Sequence, residues 1–320
     1  MSRPSSTDLV LSTAPFVSDH ATTPRVMIEV LLAALVALAG ACLHFGISAV
    51  LVVGAATAGA MVTEWFFTRT TRPSPLWDNS ALLTGVLLGL TLPPSISLWM
   101  AFLGGIAAIG LGKLIWGGLG QNIFNPALIG RAFLQAAFPI AITTWARPIE
   151  PSGFFSIPKS LLAWPLMKAS EVDAVTGATP LGLAKFEDQM TEALSLLLGH
   201  TGGSLGETTG LILILCGLWL GVRRVFDWRL PVSTILFTAL FSGLLWVASP
   251  ESYPNPLFMV LSGGLLFGAV FMVTDPVTTP TTPRGAWLFG AGVGLLVVVI
   301  RVWGGLPEGV MYAILLMNAV

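Results

Sequence analysis

The chain has 320 residues, of which 54% are apolar and only 10% charged, with a net charge of −1. Mean hydropathy is +0.84. Soluble domains carry about 25% charge, so this composition excludes one and points to an all-helical integral membrane protein; the balanced charge excludes a basic nucleic-acid-binding face.

In chain order, a polar, Ser/Thr/Pro-rich segment (1–25) precedes the first apolar run. It lacks an apolar stretch with a small-residue cleavage site, so the expectation is no cleaved signal peptide, with insertion directed by the first span. Ten apolar segments follow. Five lie in 26–146: Val26–Leu43, Ile47–Phe67, a short one from Asp78 to Pro93-Pro94, Ile96–Trp116, and Asn125-Pro126 to Trp145. A polar loop (147–206) separates them from five more in 207–320: Glu207–Val222, Leu230–Ala248, Pro256–Val273, Gly285–Trp303, and Pro307 to Val320. Trp65, Trp99, Trp116, Trp145, Trp246 and Trp303 fall near segment ends, as an interfacial aromatic belt would. Cys42 and Cys216 sit inside apolar runs and read as small core residues, not as a disulfide or iron–sulfur framework.

Charge orients the bundle. With Arg3 and Arg25 in the cytoplasm, alternate crossings keep Arg69, Arg72, Lys113, Arg223, Arg224, Arg229 and Arg284 on that side. The turns at 44–47, 93–94, 249–254 and 304–308 carry no Lys or Arg and face the other side, as does the long loop after the fifth segment. An internal repeat agrees with this. Residues 80–93 align with 263–276, both ending Thr-x-Pro, and Ile115-Trp-Gly-Gly-Leu119 matches Val302-Trp-Gly-Gly-Leu306. Five segments per half make the repeat an inverted one. Proline ends a helix, and paired breaks in two halves mark a binding site between them.

Ionisable groups inside the apolar segments are few, so each is a candidate. Asp275 ends the eighth segment in Thr274-Asp275-Pro276, where its repeat mate is Leu92; it is the ion-coupling candidate. Asp78 opens the third, as a helix N-terminal carboxylate or as a functional group. Glu64 lies one turn from the end of the second and could reach the interface. Arg131 lies within the fifth and needs a partner or an anion. Asn125-Pro126-Ala127 opens that segment, where a helix N-terminus could hold an anion or a polar ring edge. His20, His44 and His200 are scattered and make no metal set.

The loop carries Asp173-Ala-Val-Thr176-Gly177-Ala178-Thr179-Pro180. Asp-x-x-(Ser/Thr)-Gly-Ala-Thr is the acceptor pattern for covalent flavinylation, in which a transferase joins the FMN phosphate to the last Thr hydroxyl. Gly177 and Ala178 leave room for the transferase and the flavin. Asp173 and Thr176 can fix the turn by bonding local backbone.

Asp78-Asn-Ser-Ala-Leu-Leu-Thr-Gly, Gly117 to Arg131, Asp173 to Leu181, Phe271 to Val277 and Glu308 to Ala319 together resemble the NqrB/RnfD family of membrane flavoprotein subunits, in order over residues 26 to 320. The resemblance implies FMN esterified to Thr179 and a second, non-covalent flavin, riboflavin, near Asp275 and Asn125. It implies an electron relay within an Rnf-type complex that couples ferredoxin/NAD electron transfer to Na⁺ or H⁺ translocation. Partners would be the other membrane, iron–sulfur and flavin subunits, an FMN transferase during maturation, and the lipid of a bacterial inner membrane. The sequence has no nicotinamide fingerprint or iron–sulfur ligand set of its own, so a relay role within a complex is expected. Two departures are visible: Thr176 stands where Ser is commoner, and the last segment is short. A secondary transporter or channel, built from the same inverted repeats but without a flavin, is the alternative; a non-redox scaffold is a third reading.

Overall fold

The computed structural model describes residues 22–70, 75–146, 148, 154–155, 157–165, 178–199, 201–207 and 209–320. Among them every element is helical, apart from a bridge residue at Ala146. Five helices are long and apolar enough to cross a membrane. They are α1 (Thr23–Phe45), α2 (Ile47–Thr68), α4 (Leu98–Gly112, continued by a 3₁₀ turn to Trp116), α10 (Arg229–Ala248) and α13 (Pro283–Trp303).

The other five expected crossings are shorter or broken. α3 (Ser80–Leu90) stops before Pro93-Pro94. The fifth segment divides into α5 (Pro126–Ala137) and α6 (Pro139–Thr143) at Pro139, whose ring lacks the N–H that a continuous helix needs. Two short helices, α7 (Pro180–Phe186) and α8 (Ala193–Leu198), belong to the long loop. α9 (Gly210–Val222) and α14 (Val310–Ala319) have 13 and 10 residues. The eighth segment breaks into α11 (Pro256–Leu261) and α12 (Leu265–Phe267), and α12 runs into a π turn over Gly268–Met272. At about 1.5 Å per residue, none of these alone spans a hydrocarbon core of about 30 Å.

Small residues let the long helices cross closely. A Cβ on Gly59 of α2 would lie 2.1 Å from the Phe102 carbonyl of α4, and one on Gly105 of α4 would lie 2.1 Å from the Ala56 carbonyl of α2. The α10–α13 pair repeats the device: a Cβ on Gly294 would lie 2.7 Å from the Thr234 carbonyl. Backbone contact of this kind is how apolar helices associate in lipid, where burial of apolar area gives no drive. Polar side chains on these helices bond back to their own turns. Thr63, Thr238 and Ser242 donate to the carbonyls four residues earlier at 2.7–2.8 Å.

Two expectations change. Glu64 does not reach the interface: it is fully buried and paired with Lys113, itself only 2% exposed. The Lys113 side chain therefore turns inward rather than into solvent.

Candidate functional site

Thr179 is the N-cap of α7. Its backbone is extended, and its Oγ1 accepts the Gly182 N–H at 3.0 Å. Pro180 follows at the first helical position, where its missing N–H costs nothing. The other end of α7 is tied down by Lys185, whose ammonium donates to the carbonyls of Arg301 (2.9 Å), Gly304 (2.5 Å) and Leu306 (3.2 Å) at the end of α13. A loop helix is thus clamped across the second half of the chain, and its first residue overhangs a cavity of about 420 Å³. Arg131, Gln135, Trp145, Ala178, Thr179, Phe186, Glu308 and Tyr312 line it.

Below this cavity is a group of buried charges. Arg131 Nη1 stands 3.8 Å from Glu207 Oε1. Arg301 donates to the carbonyls of Met259 (2.6 Å) and Ser262 (3.0 Å), which the break between α11 and α12 leaves without helical partners, and pairs with Glu308 at 3.4 Å. Glu308 accepts the N–H groups of Gly264, Gly309 and Val310, each at 3.0 Å. The turn holding Glu207 closes the end of α3: Leu205 and Gly206 donate to the carbonyls of Leu92 (3.1 Å) and Leu90 (2.6 Å). The two carboxylates differ in their partners: Glu207 faces Arg131 at 3.8 Å, whereas Glu308 is held by Arg301 and three backbone N–H groups.

The expected site residues separate into two places. Thr179, Ala178 and Arg131 meet at the large cavity. Asn125 and Asp275 line a second, smaller one of about 60 Å³, with Ser80, Lys113 and Asn122. Asn125 caps α5 through the N–H groups of Ala127 (3.0 Å) and Leu128 (3.3 Å), and its own N–H donates to Asn318 Oδ1 at 3.2 Å. Asp275 closes a local turn, accepting the Val277 N–H at 3.2 Å and the Thr278 hydroxyl at 3.3 Å. Asp173, Thr176 and Gly177 lie outside the described residues. Sequence reasoning did not single out Glu207, Arg301, Glu308 or Tyr312 as site residues. Only the burial of charge inside an apolar chain signals Glu207, Arg301 and Glu308.

The large cavity fits an FMN on Thr179. Its volume lies within the range of roughly 300–1,000 Å³ typical of small-molecule sites. Aromatic walls and a cation suit a ring system with a phosphate, and Arg131 Nε is buried without a partner. The cap uses a lone pair of Thr179 Oγ1, not its hydrogen, so esterification would leave the Gly182 bond in place. The small cavity does not fit a tricyclic flavin as it stands, so riboflavin is placed nowhere in this structure.

A polytopic helical membrane protein with broken helices and a polar cavity under a loop helix is the class defined by these features. The chain belongs to the NQR2, RnfD, RnfE family, whose model matches residues 10–320. It is 39% identical, over 97% of its length and 91% of the relative's, to the D subunit of the proton-translocating ferredoxin:NAD(+) oxidoreductase complex of Clostridium ljungdahlii. It is 44% identical to the D subunit of the ion-translocating oxidoreductase complex of Stutzerimonas stutzeri, over 76% of this chain and 72% of that one. The protein of the same name from Escherichia coli (strain SE11) is 34% identical over 96% and 93%.

Proposed function

We propose that this chain is the membrane flavoprotein subunit of an ion-translocating ferredoxin:NAD oxidoreductase complex, carrying FMN as a phosphoester on Thr179. The observation that carries the proposal is the position of Thr179 on a cavity of flavin size that Arg131 also lines. The names of the relatives support the complex and, from the Clostridium protein, H⁺ as the ion. FMN supplies one- and two-electron transfer when bound. Thr179 tethers it, Arg131 offers charge to its phosphate, and Trp145, Phe186 and Tyr312 offer apolar surface to its ring. Catalysis belongs to the assembled complex with its iron–sulfur and flavin subunits, and an FMN transferase acts during maturation.

The finer architecture follows the same reading. Two inverted halves sit in the inner membrane with the loop outside the cytoplasm, and the short helices act as paired half-crossings. Support comes from the matching α2–α4 and α10–α13 crossings and from the breaks that end α3 and divide the eighth segment. Asp275, at the second break, is the ion-coupling group.

The test is a denaturing gel of the chain produced with the transferase. In-gel flavin fluorescence is expected in the parent and absent in Thr179→Ala. A dark parent band, or a fluorescent Thr179→Ala band, refutes the attachment.

A further inference from the structure

A line of hydrogen bonds runs inward from solvent at the base of α3. Asp78 is partly exposed, at 21% of its side chain. Its Oδ1 accepts the Ser80 hydroxyl at 2.5 Å, and Ser80 Oγ accepts from the Lys113 ammonium at 2.5 Å. Lys113 also donates to Glu64, which is wholly buried, and stands 3.9 Å from Asp78 Oδ2. Ser80 and Lys113 both line the 60 Å³ cavity, and Asp275 lines it too. Lys113 and Asp275 are the two ionisable side chains on its described wall. That volume exceeds the roughly 10–15 Å³ that a buried water requires. Asn122, 5% exposed, also lines it, and its Oδ1 is buried without a partner, an acceptor of the kind a buried water satisfies.

The choice of cation is informative. Arg301, near the end of α13, is the buried cation of the second half as Lys113, at the end of α4, is of the first; Arg301 bonds backbone carbonyls at the end of α11, whereas Lys113 bonds the side chains of Glu64 and Ser80. A guanidinium keeps its proton, whereas an ammonium can lose one. Lysine stands where the cavity meets the line to solvent, and arginine stands where only a clamp is required.

We propose that Asp78, Ser80 and Lys113 form a proton relay from solvent to the water-sized cavity bounded by Asp275. One N–H bond of Lys113 breaks as its proton passes to an acceptor in the cavity, leaving a neutral amine. The Ser80 hydroxyl turns, gives its proton to that amine and takes one from the protonated Asp78 carboxyl. Asp78 is reprotonated from solvent, so one H⁺ enters for each one delivered. Glu64 is the fixed counter-charge that holds Lys113 in place. The relay rests on the reading of this chain as part of an H⁺-translocating complex, which absence of proton movement in the parent would refute; the role of Asp275 as final acceptor rests in addition on the coupling role proposed above.

The experiment uses the whole complex in proteoliposomes, with electron-driven proton movement read by a pH dye. Two variants test the relay. Asp78→Asn removes its outer end at a partly exposed position. Lys113→Arg keeps the charge beside Glu64 but cannot release a proton. Each is expected to slow proton movement about a hundredfold, the scale of a lost acid–base group, with covalent flavin content unchanged and a raised solvent deuterium isotope effect. Azide, a small diffusible weak acid, is expected to restore Asp78→Asn and not Lys113→Arg. Parental rates and isotope effects in both variants would overturn the relay. So would slowing that azide does not relieve and that tracks loss of flavin, since that marks a structural role. Asp275→Asn is read separately: normal translocation there refutes its coupling role and leaves the relay to stand or fall on Asp78 and Lys113.

Discussion

Lys113 and Arg301 are buried cations near the ends of α4 and α13, each paired with a carboxylate, Glu64 and Glu308. Lys113 bonds the hydroxyl of Ser80, the first residue of α3; Arg301 bonds the Met259 and Ser262 carbonyls at the end of α11. A break in a membrane helix exposes backbone groups that lipid cannot satisfy. Arg301 meets that need in the second half, whereas Lys113 bonds side chains.

Removing one member of such a pair strands the other. Glu64→Leu is expected to destabilise the protein by about 3–5 kcal/mol, because the buried Lys113 ammonium loses its hydrogen-bonded carboxylate and keeps only Asp78, 3.9 Å away. The double variant Glu64→Leu/Lys113→Leu should recover much of that loss. Denaturant unfolding in detergent measures both.

Gly46 joins α1 to α2 at φ 60°, and a Cβ there would lie 2.3 Å from the Phe154 carbonyl, which also accepts the Ile47 N–H at 2.9 Å. Gly46→Ala meets both a left-handed backbone and a backbone clash, and should cost about 1–3 kcal/mol. Gly54, with open space around its Cβ position and an ordinary helical backbone, is the control: Gly54→Ala should be neutral or stabilising. Unfolding midpoints of the two variants separate these outcomes.

Thr179 serves α7 as well as the flavin. Thr179→Ala should cost about 1 kcal/mol through loss of the cap, and Thr179→Ser should keep it. Limited proteolysis of the loop in a flavin-free preparation isolates this effect, with faster cleavage expected for Ala than for Ser.

Much of this was legible from sequence for physical reasons. Apolar runs of about 20 residues such as those of α1, α2, α10 and α13 can hardly be anything but crossings. Asn125-Pro126 announced a helix start by local chemistry, and the Gly-Ala-Thr179-Pro stretch marked its hydroxyl without reference to the fold. Arg131 had to have a partner, but that partner could not be named. Glu207 is 76 residues away in sequence, and such distant contacts leave no periodicity to read. Lys113 shows the same limit: its place near a helix end was legible, and only packing shows its side chain turned inward onto Glu64. The break at Pro93 was marked by proline; Pro139 carried the same signal, but the apolar run of the fifth segment reads as continuous across it. The π turn at Gly268–Met272 has no comparable sequence signal.

The most direct test of the central claim is the mass of the tryptic peptide 169–185 from the chain matured with its transferase. The account predicts a gain equal to one FMN less one water, localised by fragmentation to Thr179. An unmodified peptide, or a flavin carried on Thr176 instead, would contradict it.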